Sequence, residues 1–209
     1  LRPLIAIVGP NNRKSIFVAE LSMDTDMNSM VDAILNHKNS NDVNHGALIQ
    51  RKNFRSVEGV EYHLRAESLV AQFEGYEFKP FKDITLGSTT VPRGAEHQPS
   101  ERSIYVSLIL NSSIRAASTP EDLSGNHSNY LKIELNERVI PEYITFFLGT
   151  DFGAAYFESL AQGSTFKRVN RNDLLGMEIP LPPIETQQTI AEASSVLEQL
   201  VSDAQELRM

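Results

Sequence analysis

The chain has 209 residues, of which 41 % are hydrophobic, 22 % charged and 8 % aromatic; this composition excludes collagen-like, low-complexity and wholly disordered classes. It has no cysteine, which excludes disulfides, thiolate nucleophiles and thiolate zinc sites and favours a reducing compartment. The net charge of −8 is the wrong sign for a protein that binds nucleic acid over its whole surface. No apolar run approaches the roughly 20 residues of a membrane span, and no signal peptide opens the sequence, so we expect a cytoplasmic protein.

The first 77 residues predict a small α/β segment. Short apolar runs separated by a Gly-Pro-Asn-Asn turn indicate a hairpin, and apolar residues at spacings of three and four indicate a helix. The predicted elements are strands over residues 4–8 and 15–21, a helix over 27–37, a strand over 47–49 and a helix over 65–73. Gly75 and Pro80 punctuate the chain and favour a domain boundary after residue 77.

The pattern over residues 78–183 predicts a second domain that combines strands and helices. Alternating apolar and polar residues indicate strands, and Pro141 fits the first turn of a helix. The predicted elements are strands over residues 81–87, 104–110, 130–135 and 173–181, and helices over 141–150 and 153–160. Long polar connections fill residues 88–102 and 111–129.

The last segment, residues 184–209, predicts a coiled-coil helix without a single glycine or proline. Its apolar residues alternate spacings of three and four, which is the seam pattern of paired helices. The seam consists of Ile190, Ala193, Leu197, Leu200, Ala204 and Leu207. We therefore expect a partner helix; the alternative is a terminal helix packed on its own domain.

The sequence offers no catalytic constellation. Its five histidines lie in polar surroundings without the i, i+4 spacing of a metal-ligand pair, and Glu96-His97 lies in a loop rich in proline and serine. Glycine-rich phosphate loops and the Gly-x-Ser-x-Gly nucleophile motif do not occur. We predict no catalytic residue, metal or cofactor in this chain.

One basic segment lies within the acidic C-terminal third. Residues 151–209 carry four basic and nine acidic residues, yet residues 163–171, Gly-Ser-Thr-Phe-Lys-Arg-Val-Asn-Arg, hold three cations and no carboxylate. Lysine and arginine neutralise DNA phosphates, while arginine and asparagine also pair with base edges. The predicted DNA-facing surface consists of Thr165, Lys167, Arg168, Asn170 and Arg171, with Arg93 and Arg102 from the loop after Gly87. The alternative is an ordinary solvated basic loop.

Several unlike motifs follow one another in a characteristic order. They are Tyr-Ile-Thr-Phe-Phe-Leu-Gly at residues 143–149, Gly-Ser-Thr at 163–165, Leu-Leu at 174–175 and Ile-Pro-Leu-Pro-Pro-Ile-Glu-Thr-Gln-Gln at 179–188. With the strands near 81–87 and 104–108, they resemble the target-recognition domain of Type I restriction-modification specificity subunits over residues 78–209. The resemblance implies an α/β, mixed-sheet recognition domain with a C-terminal coiled-coil helix. The connection over residues 111–129 is shorter than is usual in that family.

The same resemblance implies a function and partners. The recognition domain would read double-stranded DNA in the major groove and present it to a DNA methyltransferase subunit or domain that uses S-adenosylmethionine, with or without an endonuclease. In residues 1–77, the pattern Arg13-x-Ser15-Ile16-Phe17-x-Ala19, followed by an acidic turn and a predicted helix, resembles the C-terminal tail of a DNA adenine methyltransferase.

Two other interpretations stay open. The chain would be the C-terminal recognition fragment of a single-chain DNA adenine methyltransferase if an Asn-Pro-Pro-aromatic motif preceded Leu1. Alternatively, the acidic charge and the short segment 111–129 favour a degenerate domain that serves only as a coiled-coil interaction module.

Overall fold

A computed structural model of the chain describes residues 4–8, 15–20, 26, 28, 29, 31, 32, 47–50, 54–56, 59–91, 101–110, 115–121, 123, 127–163 and 166–206. Its strands are β1 (Leu4–Val8), β2 (Ser15–Glu20), β3 (Ala47–Gln50), β4 (Glu77–Pro80), β5 (Thr85–Thr90), β6 (Ser103–Ser107), β7 (Ala116–Ala117), β8 (Tyr130–Leu135) and β9 (Glu178–Leu181). Its helices are α1 (Gly59–Leu69), α2 (Pro141–Gly149), α3 (Asp151–Ser159), α4 (Arg171–Leu175) and α5 (Ile184–Glu206).

The described strands form three sheets. Their orders are β1-β2-β3, β4-β9 and β5-β8-β6-β7. The predicted α/β class is confirmed, but every pairing among the described strands is antiparallel, whereas the sequence predicted a mixed sheet. Strand β8 pairs antiparallel with both β5 and β6. A parallel pair would need a crossover connection, usually a helix, between the two strands.

The predicted strands and helices are largely confirmed, and the errors have local causes. Residues 173–175 belong to α4 rather than to a strand, because the Asn170 side chain caps a helix there by accepting a hydrogen bond from the Asp173 amide at 2.9 Å. Helix α1 begins at Gly59 instead of residue 65, and a 3₁₀ turn at Phe81–Ile84 precedes β5. The predicted helix over 27–37 lies mostly outside the described residues, of which 28, 29, 31 and 32 are helical.

The main core lies between one face of the β5-β8-β6-β7 sheet and the helices α2 and α3. The inward face is aliphatic, with Ile104, Val106, Ile133 and Leu135 fully buried. Beside it the rings of four phenylalanines pack with centroid separations of 5.1–6.4 Å, the four being Phe73, Phe78, Phe147 and Phe152. Such tilted aromatic contacts add to the free energy gained by burying apolar surface.

Helix α1 connects the N-terminal sheet to the main core. Val60 and Leu64 pack into the N-terminal core with Ile16, Val18, Ala47 and Ile49, whereas Ala66 belongs to the main core. A methyl group added to Gly59 would lie 3.2 Å from the Ser159 carbonyl oxygen, so the start of α1 packs closely against α3. The boundary predicted after residue 77 stays a prediction.

Hydrogen bonds of the Gln187 side chain join the start of α5 to the residues that precede α2. Its side chain is 2 % exposed; Oε1 accepts from the Ile140 amide at 3.0 Å, and Nε2 donates to the carbonyls of Arg138 at 3.2 Å and Pro182 at 2.9 Å. A buried amide with three main-chain partners fixes where the long helix leaves the domain.

Gln187→Ala is expected to lower the free energy of unfolding by about 2–3 kcal/mol, because buried main-chain groups lose their partners. Urea denaturation followed by circular dichroism measures this loss. The control is Gln188→Ala, an exposed neighbour, which should change stability by less than about 0.5 kcal/mol. Equal effects of the two variants would show that the Gln187 hydrogen bonds do not hold the helix.

Because Tyr143 is buried, we expect the free energy of unfolding to fall at high pH. Its hydroxyl donates to the Pro180 carbonyl at 2.6 Å, and burial raises its pKa well above the ordinary value of 10.0. The unfolded chain therefore releases this proton first. The contribution of the protonated Tyr143 hydroxyl to the free energy of unfolding is therefore complete below about pH 10. Above that pH the contribution falls, by up to about 1.4 kcal/mol per pH unit. In urea denaturation between pH 8 and 11, Tyr143→Phe should show a shallower decline than the wild type; parallel declines would contradict this account.

Candidate nucleic-acid interface

Main-chain hydrogen bonds join the residues on either side of the start of the basic segment. Gln162 and Arg168 exchange two main-chain hydrogen bonds of 2.9 and 2.8 Å. Gly163 has φ of +103°, and an added Cβ would lie 2.5 Å from the Phe166 carbonyl oxygen. Only glycine fits this combination of dihedral angle and close approach. The Phe166 side chain is 80 % exposed.

Main-chain hydrogen bonds attach this segment to the end of strand β6. The Val169 amide donates to the Leu108 carbonyl at 2.9 Å, and the Leu110 amide donates to the Lys167 carbonyl at 3.2 Å. Val169 is fully buried between the exposed residues Arg168 and Asn170, and Lys167 is half-buried. Successive side chains point in opposite directions, so Arg168 faces outward, opposite Val169.

Asn170 and Arg171 extend the segment toward strand β5. Asn170 caps α4, as described above. The Arg171 guanidinium reaches Ser88 of β5, with Nε 3.0 Å from its hydroxyl and Nη2 2.8 Å from its carbonyl oxygen. Arg171 therefore joins the basic segment to the edge strand that leads into the loop after Gly87.

The Asp173 carboxylate binds polar side chains from distant parts of the chain. Its Oδ1 lies 3.1 Å from Arg55 Nη2, and its Oδ2 accepts from Gln162 Nε2 at 3.2 Å and from the Asn170 amide group. The carboxylate is only 17 % exposed, so its charge is offset at short range by Arg55. Sequence reasoning missed Arg55 and Gln162, because no local signal connects Arg55 with a partner 118 residues away.

Four of the predicted DNA-facing residues lie together, and one does not. Lys167, Arg168, Asn170 and Arg171 are adjacent on the segment just described. Arg102 instead precedes β6 and lies at the opposite end of that strand, about 17 Å away for five residues. Its guanidinium donates to the main-chain carbonyls of Leu135 at 3.4 Å, Val139 at 2.8 Å and Asn136. In this structure Arg102 supports the chain between β8 and α2, and its part in binding DNA stays a prediction.

The other two members of the predicted set, Arg93 and Thr165, lie outside the described residues. Their part in binding DNA stays a prediction.

The predicted helix seam divides into a packed and a projecting part. Ile190 packs against the main core, on the side where α5 contacts α2. Farther along, Leu197 and Leu200 are 60 % and 58 % exposed, and Ala193 and Ala204 are also exposed. Leu207 lies outside the described residues. The seam is therefore not covered by its own domain at Leu197 and Leu200.

Within the described part of the chain, no helix is both long and apolar enough to cross a membrane. Those residues also contain no group of three or more histidines or carboxylates arranged to hold a metal ion.

Comparison with known proteins identifies the family. The sequence matches the model of the Type I restriction modification DNA specificity domain over residues 42–206. The chain belongs to this family. No curated protein sequence matches it.

The match to the specificity-domain family begins upstream of residue 78, so it includes β3 and α1 as well as the segment for which the motifs indicated a resemblance. Membership of this family assigns the chain to DNA recognition in restriction-modification systems. The basic segment and the edge of β5 are thus features of a DNA specificity domain.

Proposed function

We propose that this specificity domain binds double-stranded DNA through the face formed by Phe166, Lys167 and Arg168 and supported by Asn170 and Arg171. The observation that carries the proposal is the basic segment itself, hydrogen-bonded to the residues that follow β6 and to Ser88 of β5, in a chain of net charge −8. An acidic protein approaches a polyanion through a locally basic surface.

We assign different roles to the residues of this face. Lys167 and Arg168 contact phosphates or base edges directly, because their backbone is fixed and Arg168 is exposed. Asn170 and Arg171 position the face, since their side chains are engaged by Asp173 and Ser88. Arg93 and Thr165 add further contacts to DNA. Base reading in the major groove by this set gives the specificity.

The projecting part of α5 pairs with a partner helix. Leu197 and Leu200 expose an apolar stripe that a second helix would cover by knobs-into-holes packing. Helix α5 carries five carboxylates, at residues 185, 192, 198, 203 and 206, and no basic residue. Two copies of such a helix repel one another, so the partner is a helix with basic side chains beside its seam.

Methyl transfer belongs to the partner and not to this chain. A DNA adenine methyltransferase subunit, or a methyltransferase domain of the same polypeptide, supplies S-adenosylmethionine and the catalytic residues. The specificity domain sets where on the DNA that enzyme acts, in the cytoplasm.

The test of the proposed function is selection from a library of random duplexes by the chain assembled with its methyltransferase subunit. Sequencing of the bound fraction should show enrichment of one defined site. The methyltransferase without this chain is the control and should enrich none. Absence of any enriched sequence in the complete complex would refute sequence-specific recognition.

A further inference from the structure

The side chain of Phe166 is the most exposed large apolar group among the described residues, at 80 % of its surface. Gln162 and Arg168, on either side of it in the sequence, exchange two main-chain hydrogen bonds, and a Cβ added to Gly163 would lie 2.5 Å from the Phe166 carbonyl oxygen. Burial of an exposed phenyl ring against another molecule is favourable, because it removes apolar surface from water.

The charges beside the ring indicate which molecule that is. Lys167 and Arg168 follow Phe166 directly, and residues 163–171 contain no carboxylate. The nearest acid along the chain, Asp173, is paired with Arg55 at 3.1 Å. An apolar ring flanked by cations complements a polyanion with exposed π faces more closely than it complements an acidic or neutral protein surface.

We propose that Phe166 inserts its ring into the DNA base stack as an apolar wedge while Lys167 and Arg168 hold the phosphates on either side. This inference rests on the proposed function. Wedges of phenylalanine, leucine or methionine partially unstack a base step and kink the duplex. The ring then recovers stacking on the bases that it separates. Gly163 fixes the position of the Phe166 ring, because a side chain at residue 163 would displace the Phe166 backbone.

The test compares two duplexes of one sequence, an intact one and one with a central mismatch, which is already partly unstacked. The assembled complex should bind the mismatched duplex about tenfold more tightly than the intact one. Phe166→Ala should abolish this preference and reduce the bend seen by energy transfer between labelled DNA ends. The salt dependence of binding should stay unchanged, because no charge is removed.

Three further variants separate the explanations. Phe166→Leu keeps an apolar wedge and should retain most of the mismatch preference. Leu86→Ala removes another exposed apolar side chain, 72 % exposed on β5, and should leave the preference unchanged. Gly163→Ala should lose the preference even though the phenyl ring is present. Thermal melting of each variant establishes that it is folded.

The outcomes distinguish this inference from the proposed function. Equal mismatch preference and bending in the wild type and Phe166→Ala would overturn the wedge while leaving DNA binding intact. Failure of Phe166→Ala to assemble with the methyltransferase in the absence of DNA would show that the ring is a protein contact and would also overturn the wedge. Failure of the wild-type complex to bind either duplex would refute the proposed function itself.

Discussion

Replacing Lys167 and Arg168 together with alanine is expected to weaken binding of the assembled complex to all duplexes and to flatten its salt dependence. Each phosphate contact contributes about 0.9 to the slope of log affinity against log salt concentration, so the slope should fall by up to about 2. The two residues are neighbours on a backbone that is hydrogen-bonded to Leu108 and Leu110, and both belong to the surface proposed for DNA. Fluorescence anisotropy titrations at several salt concentrations measure both quantities.

The matched control is the double variant Lys82→Ala and Arg138→Ala. It removes the same charge from exposed residues that lie before β5 and after β8, at the opposite end of the sheet. If affinity depended on overall charge, the two double variants would behave alike. An unchanged slope for the Lys167 and Arg168 variant would make the basic segment an ordinary solvated loop and direct the search to residues 88–102.

Introducing glutamate at both Leu197 and Leu200 is expected to abolish association through α5. Burial of these side chains in a helix pair contributes the free energy of association, and two carboxylates in the seam would have to be buried without partners. Because the wild-type side chains are 60 % and 58 % exposed within their own domain, the domain should stay folded. Light scattering measures the mass of the assembly, and circular dichroism measures the fold.

The control for this variant places the same added charge on the outer side of the helix, at Ser195→Glu and Gln199→Glu. Both residues are exposed and lie outside the seam. The control should associate as the wild type does. If the Leu197 and Leu200 variant kept the full mass of the assembly, the apolar stripe would not be the interface.

Local patterns were sufficient where secondary structure follows from neighbouring residues. The alternation over residues 130–135 predicted β8, and Pro141 marked the start of α2. The absence of glycine and proline after residue 183 predicted α5. Helix α4 was missed because the cap at Asn170 competes with an apolar run that favours a strand. In each case the deciding information lies within a few residues.

The site was predictable only in part, because its supporting contacts are long-range. The sequence placed Lys167 and Arg168 in a basic segment, but no pattern in it indicated that the Arg102 guanidinium donates to three main-chain carbonyls. The pairing of Arg55 with Asp173 and of Arg171 with Ser88 joins residues more than 80 positions apart. Such contacts depend on tertiary packing, for which one sequence contains no periodic signal.

The most direct measurement of the central claim is photo-crosslinking of the assembled complex to its selected duplex carrying 5-iododeoxyuridine at successive positions, followed by mass spectrometry of the linked peptides. If the face formed by Phe166, Lys167 and Arg168 reads the DNA, crosslinks from bases within the site should map to residues 162–171. Crosslinks confined to other surfaces, such as α5 or the N-terminal sheet, would contradict the account.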